Sequence, residues 1–205
     1  GEGGACRPPR THPAASLRSV RTVSLIILAA LVGPVAMSQP LGADAAGAIT
    51  YSRSITAPLN AVLLFDRAQD AWTWTFGKEP GARALRTDRD GGMLEGVARV
   101  NYRSAHLSMR DETMGTIQYR VTIHVRAGEC RITVSELTHA GNRTTPRGGI
   151  HYGLLLRGEE PAVRVRGVGA SNSRRIYAEV KAVADARITA VLQAFEARLR
   201  ANTQP

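Results

Sequence analysis

Cysteine is almost missing from this chain: Cys6 and Cys130 are the only two in 205 residues. Two cysteines that far apart do not make the framework of a small stapled scaffold. Cys6 precedes a leader-like segment, so Cys130 is expected to stand alone after export, as a small hairpin residue. An intermolecular disulfide or a reactive thiol is the alternative for it. Lysine is equally scarce, with Lys78 and Lys181 alone among 27 basic residues, so arginine carries the formal net charge of +10. Such a bias follows genomic codon preference more often than it marks a nucleic-acid surface, and the export argued below makes nucleic acid an unlikely partner. Also missing are a G-x-S-x-G nucleophile elbow and a G-x-x-x-x-G-K-[ST] phosphate loop.

The longest apolar run is residues 23–35 (VSLIILAALVGPV), with Arg18 and Arg21 ahead of it and the small-x-small triplet Ala36, Met37, Ser38 behind. A membrane span needs roughly 20 apolar residues, and Gly33-Pro34 would break one near its end. A charged start, a short apolar core and small residues at the cut describe a secretory signal peptide. Residues 1–38 therefore read as a signal peptide with an upstream Pro-, Gly- and Arg-rich extension, and 39–48 as a linker. The expected address is periplasmic or secreted, with the mature N-terminus near Gln39 and no membrane span after cleavage. An uncleaved N-terminal anchor and a buried core helix are the other readings of the run.

Residues 49–201 then form a single domain, long enough to bury a sizeable core. Its net charge is about +8, because the arginines before it leave with the leader. Residues 49–55 alternate weakly as a first strand. Residues 59–76 switch to helical spacing, with Leu64, Ala68, Ala71, Trp72 and Phe76 on one stripe and Asp66, Arg67 and Asp70 opposite. Gly77 is the expected stop. Period two returns in 82–87 and 93–103 around an Asp/Gly-rich turn. Ile117, Tyr119, Val121, Ile123 and Val125 then alternate strictly with Gln118, Arg120, Thr122, His124 and Arg126. That pattern marks an antiparallel strand with one wet face. Residues 127–130 turn the chain, and 131–138 return as the partner. After a Gly-rich connection, 140–170, the residues Ser171, Asn172 and Ser173 are expected to cap a long closing helix over 174–201. Lys181–Asp185 and Glu196–Arg200 are expected ion pairs on its outer side. The order β-α-β-β-β-β-α implies an α+β, two-layer domain: an antiparallel sheet of about five strands with two helices on one face.

Residues 63–72 (LLFDRAQDAW), 88–96 (DRDGGMLEG) and 119–132 (YRVTIHVRAGECRI) together resemble an uncharacterised exported bacterial domain family with a TATA-binding-protein-like fold. The likeness spans 49–139. It implies a TBP-like, helix-grip-like fold and export, and it brings no assigned activity, cofactor or catalytic residue. Fold likeness to a DNA-binding protein is no evidence of DNA binding. The hairpin departs from the family pattern, with Cys130 where an aromatic is usual, and 140–170 is longer than the family suggests.

No catalytic or metal constellation is evident, and no cofactor is called for. His106, His124, His139 and His151 are scattered and share no i, i+4 spacing. Asp66 and Asp70 share a helix face as solvated carboxylates rather than an acid/base pair. Gly167, Gly169 and Ser171 leading to Arg174 and Arg175 form an anion-holding option at a helix N-terminus, against the plainer reading of linker and cap. Asn142-Arg143-Thr144 matches a glycosylation sequon by chance.

The hairpin contains a conflict. If Ala127 pairs with Cys130, Val121 faces Glu136, and the carboxylate points into the core, at a cost of several kcal/mol. A bulge near Ser135 that turns Glu136 outward and Leu137 inward is the expected resolution. The wet face then gathers Arg99, Arg103, Arg120, His124, Arg126 and Arg131, with Thr122, Thr133 and Ser135 between them, and Arg131 opposite Arg126. This face is the candidate site for an anionic partner. Functionally the chain reads as a non-enzymatic exported binding or interaction module, bound to an anionic envelope component or another exported protein. The alternatives are a carrier holding an apolar ligand against Val121, Ile123, Val180 and Ile188, or an enzyme with a loop-built site around His106 and His151.

Overall fold

A computed structural model describes residues 47–105, 111–145 and 148–201. The leader, the linker up to residue 46 and His106 lie outside the described residues. Strand β1 (Tyr51–Thr56) precedes helix α1 (Ala61–Trp74), which starts at the N-cap Asn60, whose Oδ1 accepts from the Leu63 N–H at 2.9 Å. Leu64, Phe65, Ala68, Ala71 and Trp72 form its buried stripe, as the spacing predicts. The helix ends two residues before the expected Phe76. Thr75 donates its N–H to the Trp72 carbonyl and its hydroxyl to the Ala71 carbonyl, so both groups are spent on closing the last turn. A 3-10 turn, Phe76–Lys78, then drops the Phe76 ring into the core.

Strands β2 (Arg83–Asp88), β3 (Met93–Tyr102), β4 (Gly115–Arg126) and β5 (Glu129–Gly141) follow, then the two-residue β6 (Gly153–Leu154) and the closing helix α2 (Ala170–Ala201). All pairings are antiparallel, in the order β1-β5-β4-β3-β2. The edge of β5 is shared, with β1 beside its first half and β6 beside Thr138 and His139. The architecture is α+β, a sheet with two helices on its buried face. Helix α2 begins at Ala170, so Ser171, Asn172 and Ser173 lie inside its first turn instead of capping it. Ser173 N–H already donates to the Gly169 carbonyl at 2.9 Å, and Gly167, at φ 77°, makes the reversal ahead of the helix.

The bulge is present, at Glu136 itself. It sits at φ 54°, an unfavourable left-handed conformation for a residue with a Cβ, and lets Gln118 pair with Thr138 while Arg120 pairs with Ser135. Glu136 is exposed and Leu137 has no exposed surface. The hairpin register corrects the expectation. Ala127 and Gly128 alone make the turn, Arg126 pairs with Glu129, and Val125 with Cys130. Gly128, at φ 81°, permits this tighter turn, and Cys130 becomes a fully buried strand residue whose burial pushes its thiol pKa up to about 12.

One hydrophobic cluster joins the helices to the sheet. Phe76 lies 6.1 Å from Phe195 and 6.3 Å from Tyr119 between ring centroids. Val121, Ile123, Val180 and Ile188 are fully buried within it. These side chains fill the space in which an apolar cargo would sit. Gly96 has a packing reason: a Cβ there would meet the Trp72 ring at 2.5 Å. Glu79, 6% exposed, is held by a bidentate contact from Arg187 at 3.0 and 2.6 Å, which ties the turn after α1 to α2. Among the described residues no helix is long and apolar enough to cross a membrane.

Candidate functional site

The polar face of the sheet carries the six residues predicted from periodicity, because side chains two apart on paired strands project to one side. The register nevertheless divides them. Gln118 pairs with Arg99 and Met93 with His124, so the arginines at the end of β3 and the hairpin end of β4 are separated by roughly 20 Å of strand. Arg103 lies 3.5 Å from Asp111, and Arg99 rests against Gly81.

Arg120, midway along, is neutralised. Its Nε donates to Glu136 at 2.9 Å and its Nη1 to Glu95. The two carboxylates favour the charged guanidinium and hold its pKa above the ordinary arginine value. The bulge that removes Glu136 from the core thus also delivers it to Arg120.

The hairpin end is different. His124 pairs directly with Arg131, and Arg126 with Glu129. These four residues line a depression of about 220 Å³ on the outer face. The expected Arg126–Arg131 pair does not exist, because the tighter turn sets Glu129 opposite Arg126. Glu129 instead receives a 3.5 Å contact from Arg131, whose Nε also approaches Ser54 Oγ of β1 at 3.3 Å. The side chains of His124 and Arg126 form no ion pair or hydrogen bond among the described residues, and both residues are exposed. The corner therefore holds two guanidiniums and an imidazole against one carboxylate. Sequence reasoning missed Glu129 and Ser54. The sequence pattern places the first in the turn at residues 127–130, and no local pattern shows that β1 lies beside β5. Thr122 and Thr133 face each other across the ladder, as neutral groups farther in.

The other candidate groups disperse. Asp66 pairs with Arg89 at 2.8 and 2.5 Å, which lowers its pKa, and Asp70 with Arg198 at 3.1 Å. His151 Nδ1 accepts from the Gly141 N–H at 3.1 Å. His139 is 2% exposed between Tyr102 and Tyr152, and neither ring nitrogen has a partner among the described residues. Burial pushes its pKa down to about 4. Glu196 pairs with Arg200 as expected and also receives Arg53 at 2.7 Å. Lys181 does not pair with Asp185. Its ammonium donates to the Gly158 carbonyl at 2.6 Å and lies over the Tyr177 ring. Arg174 pairs with Glu160 at 2.6 Å, which takes one of the two arginines from the anion option at the helix N-terminus.

No family model and no curated protein sequence matches the chain. Solved structures similar to it include a DUF4468 family protein from Bacteroides ovatus ATCC 8483, 19% identical, with a TM-score of 0.46 over 76% of this chain and 91% of that one. A TBP-like protein from Parabacteroides distasonis ATCC 8503 is 11% identical, with a TM-score of 0.46 over 73% and 94% of the two chains. The Zhui aromatase/cyclase from Streptomyces sp. R1128 is 11% identical, with a TM-score of 0.34 over 76% and 96%. These are likenesses, and the α+β assignment rests on the element order and strand register given above.

Proposed function

We propose that this protein is an exported, non-enzymatic binding module of the cell envelope whose basic sheet corner holds an anionic envelope component. The observation that carries the reading is the depression lined by His124, Arg126, Glu129 and Arg131, where two guanidiniums and an imidazole meet a single carboxylate. Export rests on the leader-like residues 23–38, and it places the corner where anionic head groups and acidic glycans are the abundant polyanions. The binding surface is the hairpin end rather than the whole face, since Arg120 is already occupied by Glu95 and Glu136. Arg99 and Arg103 extend the same face at its far end and add long-range attraction.

The test is retention on anionic liposomes and on an immobilised acidic glycan at low salt. The chain should be retained by at least one of them and released as salt rises, since screening shortens to a few ångströms near 1 M. The Arg126→Gln/Arg131→Gln double variant should lose most of that retention with its thermal midpoint nearly unchanged. Equal retention of the double variant on both matrices would overturn the proposal. N-terminal sequencing of protein from the native host tests the export part, with a start near Gln39 expected and a start before Arg18 contradicting it.

A further inference from the structure

At the end of β5 far from the basic corner, residues 149–154 are docked on the sheet at two histidines. The β6 ladder there is two residues long, and Ile150 donates its N–H to the Glu112 carbonyl at 3.0 Å. Burial of Ile150 and Tyr152 adds to the hold, with Tyr152 Oη donating to the Ser173 carbonyl at 2.9 Å. His151 Nδ1 accepts from the Gly141 N–H at 3.1 Å. A backbone N–H only donates, so this nitrogen must carry a lone pair, which an imidazolium lacks. His139 is closed between Tyr102 and Tyr152, with ring centroids 5.6 and 5.4 Å away. Neither of its nitrogens has a partner among the described residues, so a charged ring would be buried without compensation. Both histidines therefore fit this seam only when neutral.

The surroundings offer them no counter-charge. Against His139, β3 presents Tyr102, β4 presents Ile117 and the backbone of Gly115, and the docked segment presents Tyr152 and His151. Helix α2 presents Tyr177, edge-on to Tyr152, and Glu179, which accepts from Tyr102 Oη at 3.1 Å and Ser104 Oγ at 2.7 Å. In the turn before β4, Asp111 lies 3.5 Å from Arg103, and Glu112 meets the segment through its carbonyl. Among the described residues none of these carboxylates bonds either imidazole.

We propose that this seam is an acid-released latch: neutral His139 and His151 hold residues 149–154 on β5, and protonation detaches them while the other strands and both helices stay assembled. Leu155 and Leu156, bonded to Ile49 and to Tyr177 Oη, form the fixed end. Gly148, at φ 71° with open space around it, is the hinge. Detachment uncovers Ile150 and Tyr152 and gives solvent its route to His139, so opening and proton uptake are one event. Burial and the neighbouring His151 lower the His139 pKa from 6.5 to about 4, so acid favours the open form between these values. The device is independent of the sheet corner.

Amide hydrogen exchange of the full chain, referred to unstructured-peptide rates at each pH, tests this. At pH 7 the Gly141 and Ile150 amides should be at least about tenfold less protected than Ile123 of β4, because they open without global unfolding. Between pH 7 and pH 4.5 their protection should fall about fiftyfold, the factor given by a pKa of 6.5 open and about 4 closed. The His139→Leu/His151→Gln double variant should flatten that fall to within about threefold, since neither new side chain titrates and the Gln oxygen still accepts from Gly141. His151→Gln alone, at a half-buried position, should fall less steeply than wild type and guards against a folding defect at position 139. Equal protection of Gly141, Ile150 and Ile123 at every pH would overturn the proposal, since only global unfolding would then open the seam. An undiminished acid fall in the double variant would overturn it as well.

Discussion

The two faces of one sheet have opposite designs. On the buried face, Tyr119, Val121, Ile123 and Ile132 are closed off by the helices, and each position is constrained by what it touches. On the outer face, Arg120 is satisfied by two glutamates, whereas Arg126 and His124, a few residues along the same strand, find no partner among the described residues. The contrast separates stability from recognition. Substitutions on the inner face should cost folding free energy and leave anion binding alone. Those at the hairpin end should do the reverse.

The largest effect expected is at Phe195, which is fully buried against Phe76. Phe195→Ala should cost about 4 kcal/mol, from lost burial and the cavity left behind, and urea unfolding would read it. A loss below about 1 kcal/mol would mean that the interface is looser than the ring contacts imply.

Next comes His139. Its folded pKa near 4 lies below the ordinary value of 6.5, because burial and the nearby His151 disfavour the imidazolium. The unfolded chain therefore binds the proton more readily between these values. The neutral imidazole's contribution is complete above pH 6.5, falls as pH drops, and is gone below pH 4. That shift is worth up to about 3 kcal/mol. Stability of wild type and His139→Leu, compared from pH 7 to pH 4, should decline more steeply in the wild type, the acid-end loss from paired carboxylates such as Glu196 being common to both. Parallel curves would remove the buried neutral histidine from the account.

Gly96 follows, with a smaller expected effect. A Cβ there meets Trp72 ring atoms at 2.5 and 2.6 Å and the Arg83 carbonyl at 2.9 Å, so one of them must move. Gly96→Ala should destabilise by about 2 kcal/mol, within the range for overpacking, and a shift in Trp fluorescence should accompany it. An unchanged midpoint would show that β2, an edge strand, yields easily.

Much of this layout was legible in the sequence because period two and period 3.6 are long-range regularities. The alternation at residues 117–126 identifies both faces of β4, and the misplaced polarity of Glu136 implies a bulge. The hairpin register was not legible. Moving the turn from residues 127–130 to Ala127 and Gly128 preserves every inward and outward assignment on both strands, so no polarity conflict betrays the difference. That same shift decides whether Arg126 faces Arg131 or Glu129, which is why the candidate corner was seen only in outline. The connection before α2 was opaque for another reason. Ile150, Tyr152 and Leu155 are buried, but β6 is two residues long, too short to impose a pattern.

The most direct test of the central contrast sets two substitutions on one strand side by side. Arg120→Gln and Arg126→Gln remove the same charge from the same face, the first from a pair of carboxylates and the second from a corner whose single carboxylate already contacts Arg131. Both should change stability by less than about 1 kcal/mol, the usual range for exposed ion pairs. Retention on anionic liposomes at low salt should drop severalfold for Arg126→Gln and hold within experimental error for Arg120→Gln. Equal losses would contradict the account, since the face would then respond to its net charge alone and the hairpin corner would have no special role.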